Sequence, residues 1–177
     1  MFYLCAMKLQ EWINTVLNDN LVCERYADDL RAVTSKSKLL DVALDVNGFP
    51  FIMDMGAKGF PLPYETIMTE LKSYINGRYI VTKTGKSGKS YTTSAYCCYS
   101  DSVAIDIVTT ATMFFGCNLD VYVKENDFVR LYCDPNTSLR VHCPKNARCI
   151  VELWGNATVE VCGNYSRVEI IDNNGNK

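Results

Sequence analysis

Residues 119–163 read LDVYVKENDF VRLYCDPNTS LRVHCPKNAR CIVELWGNAT VEVCG, and the pattern within this stretch returns every ten residues. Aligned in tens, the first column holds Leu119, Val129, Leu139, Cys149 and Val159. Two places on stand Val121, Leu131, Val141, Val151 and Val161, and two further on Val123, Cys133, Cys143, Leu153 and Gly163. Apolar or small residues at every second place have the period of a β-strand with one buried face. Asn126, Asn136, Asn146 and Asn156 fill a column of their own, and Val168 and Ile170 continue the apolar pattern after a one-residue deletion.

Asparagine tolerates left-handed backbone geometry and bonds to its own neighbouring backbone, so the column marks turns. Stacked turns let one side-chain amide bond to the next. Short strands with stacked amide corners predict a β-solenoid. Ten residues are too few for one coil, so two units make a coil of two walls. Leu119, Leu139 and Val159 then stack on one wall, and Val129, Cys149 and Val168 on the other. An antiparallel meander has the same inward pattern. The asparagines favour the solenoid, where they form two columns, one on each edge.

The positions between face outward: Asp120, Arg130, Arg140, Ile150 and Glu160, then Tyr122, Tyr132, His142, Glu152 and Cys162. Their plainest reading is a solvated face. A binding surface of Tyr132, His142 and the arginines is the functional alternative. His142 is the only histidine, and its neighbours Cys143 and Cys133 suggest a thiol with its base. Alternation separates them, with the histidine outside and both thiols in the core.

Upstream, Arg78 to Lys83 alternates and is β-branched, Thr84 to Lys89 has turn composition, and Ser90 to Tyr99 reads as a second strand. This predicts a β-hairpin with a basic tip. Gly88, Lys89 and Ser90 match the end of a phosphate-binding loop, but Lys83 stands where its first glycine belongs and a strand follows in place of a helix. A looser phosphate site remains, with Lys83, Lys86, Lys89 and Ser90 holding phosphate and Tyr79 and Tyr91 stacking on a base. The bland reading is a charged tip that prevents edge pairing. Val103, Ile105 and Ile107 alternate like a strand, and Ala111 to Phe115 is read as another.

The N-terminal part is helical. Leu9, Trp12, Ile13, Val16 and Leu17 recur at helical spacing, as do Cys23, Tyr26, Leu30 and Val33. Ser37 is expected to cap a third helix carrying Leu39, Leu40, Ala43 and Leu44, which ends at Asn47–Gly48. Phe49 to Pro63 is expected to be mostly loop because of its prolines and glycines. Pro63 would open a fourth helix with Ile67, Met68, Leu71 and Ile75. Tyr26, Asp28 and Asp29 resemble the Tyr-x-Asp-Asp box of reverse transcriptases. That box needs a strand-turn-strand hairpin, whereas Leu30 to Ser35 reads as helix, so the acids are expected on a solvated helix face.

The fold class expected is therefore α+β: a helical headpiece (1–77), a β-hairpin with connecting strands (78–118) and a β-solenoid-like stack (119–177). Across 177 residues the chain is 48% apolar and 21% charged, an ordinary globular composition. A net charge of −2 gives no electrostatic reason to expect a nucleic-acid or membrane partner. The cysteines number nine, an odd count with no CxxC spacing, which argues against a disulfide framework or a zinc knuckle. The opening MFYLCAM runs straight into an amphipathic segment, so a leader is not expected and a cytoplasmic protein with reduced thiols is.

In layout the chain resembles small uncharacterised proteins of phage and mobile-element genomes that join a helical headpiece to a hairpin and a β-solenoid tail. Leu39 to Gly48 and Tyr91 to Tyr99 carry the likeness. It implies an accessory protein that counters host defence, and it brings no catalytic motif. The function expected is non-enzymatic binding of a phosphorylated small molecule, such as a signalling nucleotide, or of a host protein, without a cofactor. The rival is a structural protein that self-associates through its solenoid into a homo-oligomer. An enzyme would need a pocket between headpiece and coil using Asp101, Asp106 or His142.

Overall fold

The computed structural model describes residues 9–18, 24–43, 49–59, 66, 70, 79–82, 89–91, 95–98, 103–107, 111–163 and 165–174. The chain divides into two units, Met1–Asn76 and Gly77–Lys177.

The first unit holds helices α1 (Leu9–Asn18), α2 (Glu24–Arg31), α3 (Lys36–Ala43) and α4 (Phe49–Ala57). Of the expected stripes, Trp12, Ile13 and Val16 on α1 and Leu30 on α2 are buried, Leu17, Tyr26 and Val33 are half-buried, and Ala27 is buried beside them. Asp28 and Asp29 lie exposed on a helix, Asp28 paired with Arg31 at 2.9 Å, so no metal-binding hairpin forms there. Ser35, not Ser37, caps α3, its Oγ accepting from the Lys38 N–H at 3.3 Å. Helix α4 replaces an expected loop. Pro50 sits in its first turn, where a missing N–H costs nothing. The run that follows buries Ile52, Met53 and Met55. Gly59, at φ 91°, then ends the helix in a left-handed conformation that suits glycine. The helix expected after Pro63 lies outside the described residues, save Thr66 and Glu70.

The second unit is a parallel β-solenoid of two walls. Its strands are β1 (Tyr79–Thr82), β2 (Lys89–Tyr91), β3 (Ala95–Cys98), β4 (Val103–Ile107), β5 (Ala111–Phe114), β6 (Asn118–Val123), β7 (Phe128–Cys133), β8 (Ser138–Cys143), β9 (Arg148–Leu153), β10 (Thr158–Gly163) and β11 (Val168–Asp172). One wall is ordered β10-β8-β6-β4-β2. The other is ordered β11-β9-β7-β5, with β1 and β3 paired separately and β3 lying beside β5. All the ladders are parallel, which excludes the meander.

The hairpin expected over 78–99 is not formed. β1 pairs in parallel with β3 and β2 with β4, so the two strands belong to different sheets of the same coil. The reason it escaped the ten-residue alignment is coil length. Tyr79 pairs with Ala95 and Lys89 with Ile105, sixteen residues on, whereas Leu119 pairs with Leu139, twenty on. The strands expected at Val103–Ile107 and near Ala111 are present as β4 and β5.

Downstream of Asn118 the predicted rows are in register: Leu119 with Leu139 and Val159, and Val129 with Cys149 and Val168. Leu119, Leu139, Val129 and Cys149, with Phe114, Leu131, Val141 and Val151, form one buried core against which the partly buried Val159 and Val168 pack. Thr112 places a hydroxyl in the interior that finds no hydrogen-bond partner among the described residues. Such a group costs about 1–3 kcal/mol.

The corners repeat too. Each closes with one i to i+3 backbone bond, from Asp127 to Lys124, Thr137 to Asp134, Ala147 to Pro144 and Ala157 to Trp154. On one edge Asn126 is left-handed at φ 65°, and its Oδ1 accepts from Asn146 Nδ2 at 3.1 Å. On the other edge the buried Asp134 accepts at one oxygen from Gly116 N, Asn136 N and the Thr137 hydroxyl. Burial pushes its carboxyl above the ordinary range while these bonds hold it down.

At the corner between β9 and β10, Gly155 leaves no room for a side chain. Its φ is +59°, and a Cβ built there would stand 2.6 Å from Pro135 Cβ in the corner below. Gly155→Ala is expected to destabilise the protein by roughly 1–3 kcal/mol, from backbone strain and the contact with Pro135. Urea unfolding followed by circular dichroism measures this. An unchanged midpoint would show that the corner relaxes freely.

Candidate functional site

The lysine cluster is only partly placed. Lys83 and Lys86 lie outside the described residues. Lys89, Ser90 and Tyr91 form β2, in register with Ile105, Asp106 and Ile107. Tyr79 opens β1, which belongs to a different sheet from β2, so the two tyrosines do not share a wall. Asp101 also lies outside the described residues, while Asp106 takes the register position beside Tyr122.

The described site is the outer face of the β2–β4–β6–β8–β10 wall. Strand alternation turns Asp120 and Tyr122 outward on β6, Arg140 and His142 on β8, and Glu160 and Cys162 on β10. Register aligns them into two rows, Asp120–Arg140–Glu160 and Tyr122–His142–Cys162. Charges alternate along the first row. Arg140 Nη2 stands 2.6 Å from Asp120 Oδ2, and His142 Nε2 stands 3.1 Å from Asp120 Oδ1. A carboxylate acceptor there requires the imidazole proton on Nε2. The hydrogen bond from His142, helped by Arg140 and opposed by partial burial, holds the Asp120 carboxyl below its ordinary range.

In the second row the Tyr122 and His142 rings stack with centroids 4.2 Å apart and planes 8° from parallel. Stacking along the row turns ring faces, not ring nitrogens, toward the neighbouring strands. Cys162 is therefore set opposite the free face of His142, which does not place an imidazole lone pair on the thiol. Cys143 and Cys133 are buried in the core as expected, and burial raises both thiols, holding them protonated. Among the described residues no three His, Cys, Asp or Glu side chains gather as a metal site.

The opposite wall departs from the expectation of a solvated face. Tyr132, Ile150 and Glu152 are buried. Tyr132 stacks on Trp154, centroids 6.1 Å apart, and is withdrawn from any binding surface. Glu152 is held by Arg130 at 3.5 Å and by Asn173 of the last turn at 3.4 Å. Burial raises the Tyr132 phenol.

The Tyr122–His142 stack is the feature that residue-by-residue reading passes over. Its signal is the spacing of twenty, shared by Asp120 with Arg140 and Ser138 with Thr158. Comparison with known proteins finds no family model, curated protein or solved structure that matches this chain. No helix among the described residues is long and apolar enough to cross a membrane.

The Asp120 carboxyl has a depressed value when folded, so its contribution to stability is full above the ordinary carboxylate range. That contribution is lost as pH falls through the folded value. Asp120→Asn is expected to flatten the acid side of the melting-temperature profile below about pH 4. A profile that stays as steep as the parent's would remove Asp120 as a source of acid sensitivity.

Proposed function

We propose that this chain is a non-enzymatic binding protein, a rigid parallel coil that captures a small phosphorylated ligand in an accessory role. The observation that carries the reading is the bonding of the outer wall. Asp120 is committed to Arg140 and His142 together, and His142 is committed to Asp120 and Tyr122. An Asp–His pair also orients a general base in enzymes, but here Nε2 is spent on Asp120 and the row sets Cys162 against the ring face of His142, not against a ring nitrogen. The phosphate half of the reading rests on Lys83, Lys86 and Lys89, crowded into seven residues where the chain leaves β1 and enters β2. Clustered ammonium groups with serine beside them recognise phosphate oxygens. A phage-type role against host defence is the setting in which such capture of a signalling nucleotide makes sense.

Thermal-shift measurement with nucleoside mono- and diphosphates tests this. At a hundredfold excess over Kd a ligand adds about 2.7 kcal/mol. For a chain of this size that is roughly 5–10 °C in Tm. Replacing the three lysines by alanine is expected to abolish the shift. A flat response to millimolar nucleotides and sugar phosphates would sink the proposal.

A second reading, self-association, has its own observation. Ile170 is in register with the buried Val151 yet remains 48% exposed, and Val159 and Val168 are only partly buried. Strands β10 and β11 each end a sheet among the described residues. Glu160, Glu169 and Asp172 make this edge acidic, which opposes pairing with a second copy of itself. Light scattering across a concentration series is expected to show association rising with salt. A strict monomer in high salt would eliminate this reading.

A further inference from the structure

The outward row of Tyr122, His142 and Cys162 crosses β6, β8 and β10, carries two rings and then stops. Strands stand roughly 4.7–4.9 Å apart in a sheet. In-register rings on adjacent strands therefore meet face to face, as Tyr122 and His142 do at 4.2 Å. Cys162 occupies the next position without a ring. The His142 side chain is 33% exposed, and it borders a groove of about 500 Å³ lined by Tyr122, Lys124, Glu125, His142, Pro144 and Cys162.

The geometry points to a stacking slot: a planar aromatic ring of nucleobase size binds over Cys162, against the free face of His142, as the third member of the stack. Three features suit the row to this ligand. The imidazole is held by Asp120 on its edge and by Tyr122 on its other face, so little freedom is lost when a ring settles on it. The cysteine is small and polarizable, and sulfur packs favourably against aromatic rings. Base stacking on an aromatic side chain tolerates different bases, because each offers a π-face. Lys124, at the rim of the groove, offers an ammonium to an anionic substituent of the same ligand. Strand β10 stands four strands from β2 in this wall, roughly 19 Å at the sheet spacing, so the slot is a ring site separate from the lysines around β2.

His142 is the sole histidine, so its imidazole C–H signals stand alone in a proton NMR spectrum and report the slot directly. Adenosine is expected to move them upfield in a saturable way through the ring current of the stacked base. Ribose 5-phosphate, which has a phosphate and no base, is expected to leave them in place. Cys162→Tyr puts the protein's own ring in the slot. Its His142 signals are expected to be displaced from the start and to ignore adenosine. If that variant does not fold, Cys162→Leu fills the slot without a ring and is expected to abolish the adenosine response. Unmoved His142 signals in the parent protein at millimolar adenosine would overturn the slot, as would a response that survives in the filled variants. Thermal stabilisation by ribose 5-phosphate without any adenosine response would discard the slot and keep the phosphate reading. The converse would keep the slot and discard the phosphate.

Discussion

A parallel coil has no hairpin with which to close its ladders, so every rung must find its backbone partners one whole coil away. Here that distance is twenty residues, from Leu119 to Leu139 and from Val129 to Cys149. The constraint is severe, because a slip of one residue would turn each buried row out to solvent. It is met by corners that leave no slack. Single β-turn bonds, the Asn126–Asn146 amide pair and the buried Asp134 fix where each strand begins. The core then follows as a consequence of register, with Leu131 and Val151 stacked and sealed.

The same repetition governs what the outer faces can carry. Identical positions on neighbouring rungs lie side by side, so a repeated charge would face its own kind. The chain alternates instead. Asp120 meets Arg140, and Arg148 meets Glu169 at 3.1 Å while lying 5.6 Å over the Phe128 ring. Where rings recur they stack, and where a large residue gives way to a small one, as at Cys162, the row is left incomplete.

Much of the coil was legible because its downstream rungs keep one length. Val121, Val141 and Val161 fall in one column, and the recurring corner asparagines, one column on each edge of a two-unit coil, told parallel from antiparallel. The upstream rungs were hidden by a change of period to sixteen, which made Arg78 to Tyr99 look like a self-contained hairpin. Helix α4 was hidden because Pro50 was weighed as a breaker, although in a first turn it is compatible with a helix. The site was the least legible part. His142 stood out as the single histidine, but its partners Asp120 and Tyr122 lie a coil away. Only pairing each outward residue with the one twenty places on brings them together. The burial of Tyr132 had no such signal, since its ring partner Trp154 is a corner residue outside the strand pattern.

The twenty-residue register from Asn118 to Ser138 to Thr158 also sets the quantum in which this protein can change length. Duplicating or excising one full coil returns every buried row and every corner to its place, whereas the outward charges, which alternate from coil to coil, recover their pairing only after two. An insertion of any other size must be absorbed at a corner. Growth by tandem duplication is therefore nearly free of penalty for the core of this architecture. Each added coil would lengthen both walls by one strand and present a fresh outward row on which new contacts can be tried.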